Sequence, residues 1–211
     1  MFGLPSVKPE GAGISYDTSR QGFTSRYNHV VYALGFIVTR EAVDDDLYDV
    51  VGKQKAKSLA FSMRQNKEII AANIYNRAFS TSYTGGDGAS LIASAGGGGS
   101  SSHPNVAGGT WTNGVATATD LSEAALEQAV IDIRGFTNDR GLKVQAKPTK
   151  LIIPKELMFE ATRILKTDGQ VYSADTPLNE LKTMGVIPEL IANDHLTAPG
   201  ARFLQRNVHA G

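Results

Sequence analysis

Between Arg40 and Ala78 the chain contains no proline and a single glycine, Gly52. At 1.5 Å of rise per residue, a helix over this whole run is about 60 Å long, which exceeds the width of a small domain. Thr39 stands where an N-cap belongs. Glu41 and the acids Asp44, Asp45 and Asp46 follow it near the positive end of the helix dipole. The apolar positions Val43, Leu47, Val50, Val51, Leu59, Met63, Ile70 and Ile74 keep three-and-four spacing but form a thin stripe. Lys53, Lys55, Lys57, Arg64 and Lys67 lie elsewhere around it, where charged residues ordinarily face water. Such a helix lies across a surface and not inside a core.

The flanks are unlike it. Residues 1–28 are rich in Gly, Pro, Ser and Thr without periodicity, so the sequence predicts an N-terminal arm that depends on something else for its order. Residues 29–38, "HVVYALGFIV", carry a β-branched and aromatic run from Val30 to Val38 interrupted at Gly35, which predicts a strand or hairpin arm. After the helix comes "SYTGGDGASLIASAGGGGSSSHPNVAGG", residues 82–109, the core of a glycine-rich stretch over 80–119. It lacks the Gly-Lys-Ser/Thr ending of a P-loop and the strand–turn–helix setting of a dinucleotide turn, so it reads as a surface loop.

Regular patterning returns after residue 120. Ser122 is placed to cap a helix that buries Leu126, Ala129, Val130, Ile133 and Phe136, with Leu121 and Leu126 as a staple. "KPTKLIIPKELMFEATRILKT" reads as a buried strand, Lys150 to Ile153, then Pro154 at the first turn of a helix burying Leu157, Ala161, Ile164 and Leu165. "ADTPLNELKTMG" predicts another helix, capped by Thr176 and ended by Gly185, and "VIPELIAN" and "ARFLQR" read as two further strands. Residues 120–200 are thus a mixed α/β unit, and the chain as a whole is α+β.

Composition excludes several functions. Lys plus Arg equals Asp plus Glu at 21 each, so no net charge draws the chain toward nucleic acid or an anionic membrane. There is no cysteine, hence no disulfide framework, thiolate metal site or cysteine nucleophile, a composition that suits a reducing cytoplasm. No window reaches the roughly 18 apolar residues of a spanning helix, which predicts a soluble protein with no membrane partner. The four histidines, His29, His103, His195 and His209, are far apart, and no serine elbow or H-E-x-x-H occurs. No catalytic, cofactor or metal site is legible, so the chain is not expected to be an enzyme.

Three strings, "YALGFIVTREAVDDDLYDVVGKQKAKSLAFSMRQNKE", "LSEAALEQAVIDIRGFTNDRGLKVQAKPTKLIIPKELMFEATRIL" and "ELIANDHLT", carry a more specific signal. In the order arm, long helix, loop and α/β unit, they resemble tailed-bacteriophage major capsid proteins of the Hong Kong 97 type, most closely the Mu-like head-subunit branch, over about residues 25–206. The resemblance implies a Hong Kong 97-type fold with an extended β-arm at 29–38, the spine helix of a peripheral domain at 39–79, and an axial domain at 120–200. Residues 201–211 would be a return strand toward the peripheral domain, truncated relative to relatives that continue into further strands. It implies a self-assembling major head protein, in pentamers and hexamers, forming an icosahedral shell around double-stranded DNA. The implied setting is the virion, assembled in the host cytoplasm, with packaged DNA met without sequence readout and scaffold, portal or decoration proteins as further partners. Subunit contacts would fall on Phe23, Tyr27, Tyr32 and Phe36 in the arm, and on Asp44, Asp45, Asp46, Lys53, Lys55 and Lys57 on the spine. A bacterial nanocompartment shell of the encapsulin kind shares that fold type and stays open as an alternative, as does a small α/β enzyme holding an anion at residues 84–102.

Overall fold

The computed structural model describes residues 2–45, 48–96, 99–117, 119–169, 177–187 and 189–207. The chain divides into two compact units, one made of Met1–Ser25 with Asn76–Gly211 and the other of Arg26–Tyr75.

Among the described residues, two helices account for the regular structure of the smaller unit: α1 (Arg40–Asp44), and α2 (Tyr48–Asn76), which ends one residue beyond the unit. Thr39 caps α1 as its sequence suggests, its Oγ1 accepting from the Ala42 N–H at 3.4 Å. The single long helix is corrected to this pair. Asp44 and Asp45 stand at the closing end of the five-residue α1, not in the first turn of a long helix. Consecutive aspartates repel one another and compete for backbone hydrogen bonds, so they favour a helix end over its interior. Asp46 and Leu47 lie outside the described residues. At 29 residues, α2 is about 43 Å long, and among its described residues Ala72 alone is fully buried. The strand expected over 30–38 is also corrected. Those residues carry no helix or strand, because a strand needs a neighbour to pair its backbone and none of the described residues pairs with them.

The larger unit is organised by a three-stranded sheet in the order β4-β3-β5. Strand β3 (Lys147–Pro154) is central, β4 (Glu189–Asn193) runs parallel to it, and β5 (Phe203–Asn207) runs antiparallel. The antiparallel register slips between Pro148 and Lys150, where proline has no N–H to give the ladder. Successive β3 side chains face opposite ways. Leu151 and Ile153 join a core with Leu126 and Val130 of α3 (Glu123–Gly135), Ala161 and Ile164 of α4 (Met158–Lys166), Leu181 of α5 (Glu180–Met184) and Ile187. Ile152 is buried on the other face, paired with Phe203, whose ring lies 6.0 Å from that of Phe79.

The caps follow the sequence in part. Ser122 accepts from Ala125 N–H at 3.2 Å to start α3, and Gly185 ends α5 with φ of 57°. Lys155–Leu157 form a 3-10 turn before α4, so the helix opens later than Pro154 suggests. The α5 cap is Asn179, and Thr176 lies outside the described residues. Asn179 is fully buried and ties two helices together. Its Nδ2 donates to the carbonyls of Ile164 at 2.5 Å and Thr167 at 3.0 Å, while Oδ1 accepts from Lys182 N–H at 3.2 Å. Removing it strands buried carbonyls and a helix N–H together. Asn179→Ala is therefore expected to cost at least about 2 kcal/mol in denaturant unfolding, against about 1 kcal/mol for Ser122→Ala, whose cap is exposed.

Candidate assembly surface and a buried histidine cluster

The arm and helix of the smaller unit expose apolar groups that a folded chain ordinarily hides. Tyr27 is 88% exposed, and Val30, Val31, Tyr32, Leu34, Phe36 and Ile37 are all open to solvent. Along α2, Val50, Phe61, Ile69, Ile70 and Ile74 are exposed in the same way. In the larger unit, Phe23 and the residues Phe2, Leu4, Val7, Ile14 and Tyr16 of the N-terminal segment are exposed too. Exposed apolar surface on this scale marks a place where another molecule binds.

The charges named from sequence fall into separate local pairs. Lys53 Nζ meets Asp49 carboxylate oxygen at 2.8 Å, and Arg40 Nε meets Asp44 at 3.6 Å, both one helical turn apart and exposed. Lys55 Nζ donates to the Ile37 carbonyl at 3.1 Å, which joins the arm to α2. Lys57 is exposed, and Asp45 closes α1 with its backbone N–H. Among the described residues no ion pair joins Asp44 or Asp45 to Lys53, Lys55 or Lys57. Asp46 and His209 lie outside the described residues.

A second arrangement, in the larger unit, was not legible in the sequence. Among its described residues the glycine-rich stretch forms strands only in a small hairpin, β1 (His103–Pro104) with β2 (Thr110–Trp111), yet Ala89, Ser90, Ala93, Ser94 and His103 are buried within it. Ser90 and Ser100 exchange backbone N–H to hydroxyl bonds at 2.9 Å each, and Ser94 N–H reaches Ser100 carbonyl at 2.9 Å. Two glycines are needed for this closeness. A Cβ on Gly99 would come within 2.7 Å of the Phe79 carbonyl oxygen, and one on Gly114 within 2.6 Å of Ser94 Cβ. The reading of an order-poor surface loop is corrected accordingly: small residues here allow close backbone packing, with serine hydroxyls satisfying the buried polar groups.

At its centre, His103 Nδ1 lies 2.6 Å from Asp87 Oδ2, and Nε2 lies 3.3 Å from Asn113 Oδ1. The Trp111 ring stacks on the imidazole at 4.5 Å and 20°, and its edge meets Phe136 at 6.5 Å. Burial pushes the Asp87 carboxyl up, but the His103 hydrogen bond, the Ala89 N–H and the His103 charge together hold it below the usual carboxylate range. Both imidazole nitrogens are engaged and one ring face is covered, so no atom of His103 is presented to a substrate as a base or nucleophile. The sequence did offer one clue: the single tryptophan of the chain falls inside its least patterned stretch. Among the described residues, no group of three or more His, Cys, Asp or Glu side chains could hold a metal, and no helix is long and apolar enough to cross a membrane.

The two features together describe a chain with extensive open apolar surface and an enclosed polar cluster, as in a structural component built to meet other chains. Over residues 22–209 the sequence matches the phage capsid protein family, and the chain belongs to that family. Its role is therefore that of a capsid protein, a structural component of the bacteriophage virion that assembles into an oligomeric shell. No curated protein and no solved structure matches the chain.

The Asp87 carboxyl sets an acid limit on the cluster. Because its value is depressed in the folded chain, the stabilisation it supplies is full above the ordinary carboxylate value of about 3.9 and is lost as pH falls through the lowered folded value. Trp111 fluorescence, reporting on the segment alone, is expected to show this acid transition in the native sequence and to lose it in Asp87→Asn.

Proposed function

We propose that the chain is a major head protein that assembles into pentamers and hexamers closing an icosahedral shell around double-stranded DNA, on a Hong Kong 97-type fold. In this reading residues 1–28 are an N-terminal arm, 29–38 the extended arm laid on a neighbouring subunit, and 39–79 the spine region. Residues 80–119 link it to an axial unit at 120–200, and 201–211 return toward the peripheral domain.

The observation that carries the reading is the row of exposed side chains through the arm, including Tyr27, Val31, Tyr32 and Ile37. Burying each large apolar side chain against a neighbour is worth about 1.5–3 kcal/mol, and a subunit that can bury several gains more by associating than by staying free. In a closed ring each further contact forms between partners already held together, so modest contacts give a stable assembly. Phe23, Tyr27, Tyr32 and Phe36 supply the apolar part of the contact. Asp44, Asp45, Asp46, Lys53, Lys55 and Lys57 supply charges that set its register more than its strength. Packaged DNA meets the shell through phosphate contacts without base readout, which a chain with zero net charge permits through local patches. Scaffold, portal and decoration proteins are the further partners this role entails.

The test is assembly of the full chain by light scattering and negative-stain electron microscopy. Closed shells, or discrete five- and six-membered rings, are expected from the native sequence. Tyr27→Glu with Tyr32→Glu is expected to give unassembled subunits with unchanged thermal unfolding, since neither ring is buried within its own chain. A monomeric native chain, or assembly indifferent to both substitutions, would overturn the reading.

A further inference from the structure

The donors and acceptors around His103 favour an imidazole that donates from both ring nitrogens. Asn113 has a determined amide orientation: Oδ1 accepts from Ala93 N–H at 2.8 Å, and Nδ2 donates to the Leu91 carbonyl at 2.8 Å. Turning the amide over would set donor against donor and acceptor against acceptor. The atom facing His103 Nε2 is therefore an acceptor, and Nε2 must carry a proton to bond it. On the other side, Nδ1 faces a carboxylate oxygen of Asp87 at 2.6 Å, in the range of a charge-assisted bond and too close for a ring C–H. Asp87 also accepts from Ala89 N–H at 3.2 Å through its other oxygen, so both carboxylate oxygens face donors. Nδ1 must donate as well. An imidazole that donates from both nitrogens is an imidazolium. The Trp111 face at 4.5 Å suits it, because the indole quadrupole attracts a cation placed over it. Asp87 is the one charged group among the described residues that contacts this ring; Asn113 and Trp111 are neutral.

We propose that Asp87, His103 and Asn113 form a pH-gated clasp on the glycine-rich segment, closed while the imidazole carries both ring protons and released as pH rises and Nε2 loses its own. Deprotonation leaves the Nε2 lone pair opposite Asn113 Oδ1, two acceptors 3.3 Å apart. Asn113 also holds Ala93 and Leu91, and its backbone N–H and that of Gly114 both reach the Ala93 carbonyl at 3.3 Å. Displacing Asn113 thus loosens residues 91–94, where Ala93 and Ser94 are buried. The clasp has two limits of opposite sign. It opens at low pH when Asp87 is protonated, and at higher pH when Nε2 gives up its proton, so the segment is firmest between the two.

The measurement is long-range proton–nitrogen NMR of the histidine rings in the 15N-labelled full chain, with the His103 signals assigned by their loss in His103→Gln. Both ring nitrogens are expected to be protonated while the segment is protected from exchange, with one ring proton lost as pH rises. Amide exchange at residues 89–94 and 113–115, corrected for its intrinsic pH dependence, is expected to rise about tenfold over the same change. In His103→Gln that extra pH dependence should vanish. A ring with one bare nitrogen while the segment is protected would overturn the clasp, as would deprotonation without a change in exchange. Should His103→Gln fail to fold, the ring protonation and exchange of the native chain decide the question without it.

Discussion

The larger unit depends on one strand being covered from both sides. Leu151 and Ile153 are fully buried and Ile152 nearly so, on opposite faces of β3. A strand apolar on both faces has no stable place at a sheet edge or on a solvated surface. It must take a neighbour on each side and a layer above and below. The neighbours are β4 and β5, one layer is α3 with α4 and α5, and Ile152 on the other face is buried beside Phe203, which Phe79 approaches. The short string "LIIP" thus supplies the residues around which the sheet and its helices pack.

What was legible in the sequence follows from whether the cause was local. Ser122 as a cap, Gly185 in the left-handed conformation at the end of α5 and the buried strand at Leu151 to Ile153 each depend on residues within a few positions, and each is found where the pattern put it. The misreadings arose where the cause was distant or absent. Asn179 is the cap of α5 because its amide also reaches Ile164 and Thr167, a tertiary reason invisible to a local pattern. The run from Val30 to Val38 has the residues of a strand and no pairing partner among the described residues. The glycine-rich stretch reads as unstructured because its order comes from serine hydroxyl and Asn113 amide bonds to backbone groups 10 to 22 positions away, not from a hydrophobic period.

The site was legible in the same uneven way. The aromatic residues of the arm are contact candidates by residue type, and in the folded chain they are exposed. The charged residues were legible as types but not as partners: Lys53 turns to Asp49 and Lys55 to a backbone carbonyl. His103 was one of four scattered histidines until the fold brought Asp87 from 16 positions away and Asn113 from 10.

These features bear on a difficulty that any capsid subunit faces. Apolar surface that drives assembly also drives aggregation while the subunit is alone. In this chain the exposed groups in the smaller unit sit on a segment without regular structure and on α2, whose intervening positions carry Lys53, Lys55, Lys57, Arg64 and Lys67. An irregular arm cannot template the indefinite edge-to-edge pairing that a preformed flat strand invites, since its backbone is not laid out for pairing. Ordering it costs about 1–2 kcal/mol per residue of backbone entropy, a cost that random encounters do not repay but a neighbour offering a matching surface along its length does. In the assembly proposed above, residues Val30 to Val38, which favour an extended form but carry no strand here, would receive their pairing from another subunit.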